Sequence, residues 1–493
     1  MRAFRNPVFA FLLSFPWSFY ADDLSDLAEA QNWRAVEKAL TEKADPNAAQ
    51  PDGTTALHWA AYHDREQVVK TLLEAGGKPD ARNRFDATPL SLACTNGNAV
   101  TAGLLIEAGA DPNRENRGAE TPLMIAARTG KPDLVKLLLD REARIDATND
   151  KGQTSLMWAA AEGHADVVKI LIGAGADPQK PLKSGLTPLL FAAREGKIEV
   201  VKILLDSGVD VNSVTQSGGG GRRPPKGTSA LRFAVENGHF ELATVLLKAG
   251  ADPNDQRSGL APLHLLSKVR KPNRGDDFGG MPPPTGSGKL TSLEFAELLL
   301  TKFRADPNSK LKRGSSGGHK LGTKGATPSL LAAKTADLAF LKLLAENGAD
   351  LRITNEDGTT PLMAAAGQGT HAPTEEAGTE EECLETVAWL LGQGADINAV
   401  DKNGETAMHG AAYKSLPKMV AFLAENGADI KIWNRKNKRG RTPLLLAQGF
   451  RPGNFKPAPA TIEAVETVMR AEGVEPPEAP PRPAVGKPKK YEN

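Results

Sequence analysis

A regular internal repeat constrains this sequence more than any other feature. Five threonines recur at one constant interval, and each precedes a short run rich in leucine and alanine: Thr55, Thr88, Thr121, Thr154 and Thr187. A unit this short cannot bury an apolar face of its own, so it must stack on its neighbours. The period therefore predicts one array of stacked units, although 493 residues would otherwise suggest about three ordinary domains.

Each unit begins with a short helix. In residues 152–184, Thr154 is placed to accept hydrogen bonds from the backbone amides that follow it, which predicts a helix from Ser155 to about Glu162. Gly163 then ends the helix, because glycine adopts left-handed backbone angles without a steric cost. The alanines of this helix are small, which favours close packing against a second helix.

A second helix completes the unit. Asp166 favours its positively polarised start, and Val168, Leu171 and Ile172 follow with the spacing of an apolar helical stripe. Gly175 is expected to end this helix, and the Asp-Pro pair after it sends the chain out as an extended turn.

This pattern resembles the ankyrin repeat, whose period is about 33 residues. The motif is TALHWAA at residues 55–61, TPLMIAA at 121–127 and TPLLFAA at 187–193, and GADPN recurs from Gly109 and Gly250. The capping position continues, less regularly, at Ser229, Ala261, Thr327, Thr360, Thr406 and Thr442. The resemblance implies about eleven repeats after a degenerate first one. It implies an all-α repeat fold, an ankyrin-repeat solenoid of stacked helix-turn-helix units with extended β-turn fingers.

The repeat pattern and its interruptions give five segments. They are a signal peptide (1–21), an N-terminal capping repeat (22–50), regular ankyrin repeats (51–213), repeats with long insertions and a C-terminal cap (214–473), and a Pro-rich disordered tail (474–493). Residues 461–471 are expected to form the capping helix.

Residues 1–21 resemble a secretory signal peptide. Arg2 and Arg5 precede an apolar run over residues 8–20, and Ala21 precedes two aspartates. This order predicts cleavage after Ala21 and a periplasmic or extracellular protein, of the kind seen in exported bacterial ankyrin proteins. No stable membrane span is expected after cleavage, because the run is shorter than the ~20 apolar residues that a span needs. The alternative is a cytoplasmic protein whose N-terminal helix packs on the first repeat.

Four insertions interrupt the second half of the chain. Two of them, residues 215–228 and 309–326, fall in the turns between repeats. The other two, 268–291 and 367–383, fall between the two helices of a repeat. The two kinds are therefore expected at opposite edges of the stack. The acidic run over residues 375–385 is expected to be a solvated loop that leads into a helix.

Motifs for catalysis, metal or cofactor binding are not found in the sequence. The TGSGK stretch at 285–289 does not match a P-loop, which needs a glycine at Pro283 and a hydroxyl residue at Leu290. The family resemblance implies a structural role for His58, His264 and His409, whose rings are expected to bond to neighbouring turns. The two cysteines, Cys94 and Cys383, lie too many repeats apart for an intramolecular disulfide. We expect a non-enzymatic protein without a cofactor or metal.

Candidate binding residues fall in two groups. The resemblance places the two residues after each alanine pair on the concave surface, and these include Tyr62, His63, Arg128 and Arg194. Aromatic residues one turn earlier, such as Trp59, Trp158, Phe191 and Phe233, are expected to pack between first helices.

The second group consists of basic residues in three turns, 215–228, 309–326 and 430–441, which hold no acidic residue. We predict that these turns form one anion-attracting rim, the alternative being that they are merely solvated insertions. Its candidate residues are Arg222, Arg223, Lys226, Lys310, Lys312, Arg313, Lys320, Lys324, Arg435, Lys436, Lys438 and Arg439.

The favoured function is a scaffold that mediates protein–protein interaction through its concave surface and finger loops. An alternative is a binder of an anionic polymer or membrane surface through the basic fingers, and another is an inhibitory or regulatory subunit of an enzyme. The net charge of +1 says little about the partner. Export would separate the protein from cytosolic nucleic acid, so a protein partner, possibly with an acidic surface, is expected instead.

Overall fold

The computed structural model describes residues 23–216, 224–272, 284–314, 321–373, 375–451 and 456–480. Every regular element in these residues is a helix, and two isolated antiparallel bridges, Ala49 with Thr55 and Val214 with Ser229, are the extended pairings. The chain divides into two compact units, the N-terminal unit (residues 1–178) and the C-terminal unit (residues 179–493). The predicted signal peptide lies outside the described residues.

The N-terminal unit is built from helix pairs. Its first helices pack in series, α3 on α5, α5 on α7 and α7 on α9. The described helices of this unit are α1 (Leu24–Glu29), α2 (Trp33–Thr41), α3 (Ala56–Tyr62), α4 (Glu66–Glu74), α5 (Pro89–Asn96), α6 (Ala99–Glu107), α7 (Pro122–Thr129), α8 (Pro132–Asp140), α9 (Ser155–Glu162) and α10 (Ala165–Gly173).

The C-terminal unit repeats the arrangement, with α11 on α13, α13 on α15, α15 on α17 and α17 on α19. Its last helix begins at Pro459, slightly before the start of the predicted capping helix. The described helices are α11 (Pro188–Arg194), α12 (Ile198–Asp206), α13 (Ala230–Glu236), α14 (Phe240–Lys248), α15 (Pro262–Arg270), α16 (Ser292–Thr301), α17 (Pro328–Lys334), α18 (Leu338–Glu346), α19 (Pro361–Ala365), α20 (Glu380–Gly392), α21 (Ala407–Lys414), α22 (Pro417–Glu425), α23 (Ile430–Trp433), α24 (Pro443–Ala447) and α25 (Pro459–Ala471). This architecture confirms the predicted all-α repeat solenoid.

The capping positions determine where the first helices begin. The Thr154 hydroxyl accepts a hydrogen bond from the Met157 amide at 3.3 Å. Gly163 ends the helix with a φ of 91°. The predicted helix over 155–162 is therefore confirmed. All the other predicted capping residues also immediately precede a first helix, although Ala261 has no side chain with which to cap.

The apolar stripe of the second helix differs slightly from the prediction. Val168 and Leu171 are fully buried as expected, but the third buried residue is Val167, whereas Ile172 is half-buried. The buried face of α10 is therefore centred nearer the start of the helix. Leu156 of α9, which packs on α10, is also buried.

Where the turn after the second helix reads GADPN, or RADPN at 304–308, its asparagine connects the repeat with the next. The side-chain amide of Asn113 donates to the carbonyl oxygen of Glu142 at 3.0 Å, and its oxygen accepts from the Arg144 amide at 2.7 Å. Asn308 makes the equivalent pair of bonds with Gly348 and Asp350. One side chain thus satisfies two backbone groups of the following turn, which fixes how adjacent repeats are aligned.

Two predicted insertion boundaries are wrong. Helix α15 continues to Arg270, so the insertion predicted over 268–291 starts at residue 271 rather than 268. Helix α20 begins at Glu380, so the insertion predicted over 367–383 ends at residue 379 rather than 383. The Thr379 hydroxyl and the Glu382 carboxylate form a reciprocal capping box there, which starts the helix within the acidic run.

Candidate functional site

The histidines of the first helices are held by hydrogen bonds, and the rings of His58 and His264 reach the neighbouring turn as the resemblance implied. Nε2 of His58 lies 3.1 Å from the carbonyl oxygen of Ala87, and Nε2 of His264 lies 3.0 Å from that of Ser309. Nδ1 of His409 lies 3.1 Å from the hydroxyl of Thr406. Burial lowers the pKa of His264 and of His409 to about 4, so both rings are neutral at pH 7.

Among the described residues, His, Cys, Asp and Glu side chains form no cluster of three or more that is suited to a metal ion. None of the helices described there has the length and hydropathy needed to cross a membrane. Both cysteines are buried free thiols.

The TGSGK stretch folds back on helix α14 of the same unit. The Glu241 carboxylate accepts hydrogen bonds from the amides of Lys289 and Leu290, the second at 2.7 Å. The Ser287 hydroxyl lies 2.9 Å from Nδ1 of His239. The amides that an anion would need here already hold a carboxylate of the chain, in agreement with the rejection of a phosphate-binding loop.

Arg128 and Arg194 are already engaged within the chain. The guanidinium of Arg128 lies 3.4 Å from the Glu120 carboxylate and 5.2 Å from the centre of the Trp158 ring. Arg194 pairs with the adjacent Glu195 at 2.8 Å. A partner that binds either arginine must compete with these contacts, which weakens the prediction that they hold the partner.

Tyr62 and His63 belong to a larger cluster that sequence reasoning missed. His63 stacks on Trp59 with ring centres 6.0 Å apart, and it meets Tyr62 and Trp33 edge to face at 5.0 and 5.9 Å. Phe191 and Phe233 are buried between helices as predicted, but Trp59 and Trp158 are only half-buried. We call Trp33, Trp59, Tyr62 and His63 the aromatic cluster. Its signal in the sequence was the aromatic Trp33 at the start of α2.

The basic turns of the C-terminal unit lie along one edge. The Glu356 amide donates to the carbonyl oxygen of Lys324 at 3.0 Å, which joins two successive turns at their tips. The Lys438 amide donates to the carbonyl oxygen of Asn403 at 2.8 Å and joins the last pair. Between them, the Lys402 amide donates to the backbone carbonyl oxygen of Asp357 at 2.8 Å. These bonds bring the tips of the turns into a continuous row, which we call the basic edge.

Most predicted basic residues on this edge are exposed. Arg222, Arg223 and Lys320 lie outside the described residues. The turn predicted over 430–441 is partly wrong, because residues 430–433 form helix α23, whose Trp433 is buried. Lys324 is paired with Glu356 at 3.1 Å. The predicted residues that are exposed are Lys226, Lys310, Lys312, Arg313, Lys324, Arg435, Lys436, Lys438 and Arg439.

Two buried carboxyl groups lie beneath the last turn of the basic edge. The Glu405 carboxylate accepts from the Tyr413 hydroxyl at 3.0 Å and from the Asn437 side chain at 2.8 Å. Burial raises the pKa of Glu405 and of Asp401 above their ordinary values. Glu405 thus links the last turn to Tyr413 of α21.

The acidic run over 375–385 leads into helix α20 as predicted, but the loop before the helix is not merely solvated. The Glu376 carboxylate lies 2.9 Å from the Lys334 ammonium, and that of Glu382 lies 2.7 Å from the Lys271 ammonium. Burial opposes ionisation of Glu376, but Lys334 and the His371 amide outweigh it, so the pKa of this carboxyl is lowered. These ion pairs fasten the insertion and α20 to the preceding repeats.

The two units carry opposite net charges, although the net charge of the whole chain is only +1. Residues 1–178 contain 19 Lys and Arg against 25 Asp and Glu, whereas residues 179–493 contain 42 against 35. The N-terminal unit therefore carries a net charge of −6 and the C-terminal unit +7.

Comparisons with known proteins point to one family. A family model described as ankyrin repeats (3 copies) matches residues 24–116, 104–182, 179–257 and 377–455. The human neurogenic locus notch homolog protein 1 is 34% identical over 157 residues, which are 31% of this chain and 6% of that protein. The Drosophila melanogaster neurogenic locus Notch protein is 40% identical over 93 residues, 18% of this chain and 3% of that protein. This chain thus matches only a small part of these relatives.

Among solved structures, the crystal structure of the human ASB11 ankyrin repeat domain is similar. It is 26% identical with a TM-score of 0.41, and the match covers 47% of this chain and 98% of that one. The matches to the family model together cover more than half of the sequence, in both compact units. The chain belongs to the ankyrin-repeat family.

Proposed function

We propose that this protein is a non-catalytic scaffold that binds another protein, and that its basic edge attracts an acidic surface of that partner. Ankyrin repeats generally serve protein–protein interaction, which supports binding as the function. The observation that carries the proposal is the tip-to-tip hydrogen bonding of successive turns, because it assembles scattered basic residues into one edge.

Exposed lysines contribute little to a single contact, roughly 0–1 kcal/mol each. Their combined field acts over a longer range and raises the rate at which an oppositely charged partner associates. The net charge of +7 on this unit supports such an effect. The basic edge is therefore proposed to accelerate association, while other repeat surfaces provide the affinity.

The test begins with affinity capture of a partner, followed by measurement of association rates at low and high salt. Replacing Lys310, Lys312, Lys436 and Lys438 with Ser should slow association about tenfold at low salt, and the difference should disappear as salt screens the charges. The matched control replaces four exposed lysines on or beside second helices of the same unit, Lys202, Lys248, Lys302 and Lys342. Equal slowing by both variants would attribute the effect to net charge and reject the basic edge.

The same edge supports a second candidate, a binder of an anionic polymer or membrane surface. Binding of a sulfated polysaccharide or of anionic lipid vesicles, lost in the four-lysine variant, would favour this alternative over a protein partner.

We further propose that the protein is exported, on the basis of the order of basic, apolar and small residues over residues 1–21.

A further inference from the structure

The N-terminal unit presents a surface of the opposite kind, in which aromatic rings and carboxylates adjoin. Gln50 connects the two groups: its side-chain oxygen accepts from the Trp59 indole at 3.1 Å, and its amide donates to the Asp26 carboxylate at 3.0 Å. The same amide also donates to the Glu29 carboxylate. We call Asp26 and Glu29 the acidic pair; both are exposed.

The aromatic cluster is accessible to solvent. Tyr62 is 45% exposed, among the most exposed of the large apolar side chains in the described residues. Trp33, Trp59 and His63 are half-buried. The acidic pair accepts hydrogen bonds from the neutral Gln50 and has no ion-pair partner among the described residues, so its carboxylate oxygens can accept further hydrogen bonds.

The chain itself shows what this surface accommodates. The guanidinium of Arg65 lies 5.6 Å from the centre of the Trp33 ring, at one side of the aromatic cluster. Arginine combines a planar face, which stacks on aromatic rings, with paired N–H groups that match a carboxylate. The remaining rings can stack on the planar face, and the acidic pair can accept hydrogen bonds from the N–H groups. The unit's net charge of −6 also attracts cations.

We propose that the aromatic cluster and the acidic pair form a docking surface for an extended peptide segment of a partner that carries arginine. An arginine side chain lies on the exposed faces of Tyr62 and Trp59, and its guanidinium donates to Asp26 or Glu29. This proposal deepens the proposed binding role by naming the chemistry of one partner segment. It uses neither the basic edge nor any residue of the C-terminal unit.

The experiment titrates the full-length protein into fluorescently labelled nine-residue Gly-Ser peptides that contain three Arg, three Lys or three Gln residues. Fluorescence anisotropy gives the affinities. The proposal predicts that the Arg peptide binds most tightly, the Lys peptide more weakly and the neutral Gln peptide weakest. Equal affinity for the Arg and Gln peptides would overturn the proposal.

Variants then locate the site. Tyr62→Ala should weaken binding of the Arg peptide about three- to tenfold, and Tyr62→Phe, which keeps the ring, should bind like the parent. Phe85→Ala is the matched control, because Phe85 is 49% exposed in the same unit but lies outside the cluster. If Phe85→Ala weakens binding as much as Tyr62→Ala, the proposed surface is wrong.

The acidic pair has its own matched control. The double variant Asp26→Asn with Glu29→Gln should weaken binding of the Arg peptide several-fold, with no change in thermal stability. Asp133→Asn with Asp140→Asn removes the same charge from α8 and should leave the affinity within about twofold of the parent, because these acids are remote from the rings. The four-lysine variant of the basic edge should bind the Arg peptide like the parent. The peptide affinity therefore tests the aromatic cluster and the acidic pair, whereas the salt-dependent association rate tests the proposed function.

Discussion

At the scale of single residues, neutral buried histidines make hydrogen bonds that join adjacent repeats. The His264 ring contacts the carbonyl oxygens of both Ser309 and Ala326, at 3.0 and 3.2 Å. Its burial lowers its pKa from 6.5 to about 4. Between these two pH values the unfolded chain binds a proton that the folded protein does not, so stability is present above about pH 6.5 and is lost as the pH falls toward 4.

The His264→Gln variant tests this linkage, because glutamine keeps a donor but does not titrate. Between pH 7.5 and 5.5, the fall in the free energy of unfolding should be smaller than in the parent by about 1 kcal/mol. Denaturant unfolding at the two pH values gives the difference. Ser267→Ala, a buried change in the same helix, should retain the parent's pH dependence. The same pH dependence in His264→Gln and in the parent would contradict the assignment.

At the scale of elements, the insertion over 215–228 is held at its base by hydrogen bonds. The base of the turn over 215–228 is closed by backbone bonds, with the Thr215 amide donating to Thr228 at 3.0 Å and the Gly227 amide donating to Thr215 at 2.9 Å. The Thr215 hydroxyl also donates to the Pro225 carbonyl oxygen at 2.8 Å. These bonds keep the ends of the loop together, whatever its length.

We therefore expect residues 217–223 to be dispensable for folding. Replacing them with Gly-Ser while keeping residues 224–228 should change the free energy of unfolding by less than about 1 kcal/mol, since loop closure costs only ~0.6 kcal/mol per doubling of length. By contrast, Leu204→Ala removes a fully buried side chain from α12 and should cost ~2–5 kcal/mol. Urea unfolding compares the two, and a loop variant less stable than Leu204→Ala would show that the loop contributes to the core.

At the scale of the whole molecule, charge is separated along the sequence. A net charge of −6 on one unit and +7 on the other allows one chain to attract both basic and acidic partners. This separation is consistent with the proposed scaffold, in which each unit attracts a partner of opposite charge.

The proposed export also concerns the whole molecule. If residues 1–21 are a signal peptide, protein purified from its native host should begin at Asp22. N-terminal sequencing or intact mass measurement decides this, and the Arg2→Glu, Arg5→Glu double variant should reduce the processed fraction. Mature protein that retains Met1 or Arg2 would reject cleavage and, with it, the proposed compartment.

The fold could be predicted from the sequence because its determinants are local and periodic. Thr154 caps a helix through the nearby Met157 amide, and Asn113 bonds to the next repeat at sequence separations of 29 and 31. Contacts at fixed separations leave a fixed spacing in the sequence, so the helices, their capping residues and the stacking of repeats could all be predicted. The exposed positions of Tyr62 and of the basic turns followed from the same period.

Only the tertiary structure decided which side chains meet at variable separations. The Lys271–Glu382 ion pair spans 111 residues across three insertions, and Arg270 meets Asp337 across 67. No spacing rule predicts such contacts, because the lengths of the insertions are not set by the repeat. The aromatic cluster was missed for a related reason: Trp33 belongs to the degenerate first repeat, where the consensus gives no expected position. The sequence by itself determined the repeat and its caps, and packing between non-identical repeats decided the surfaces available for binding.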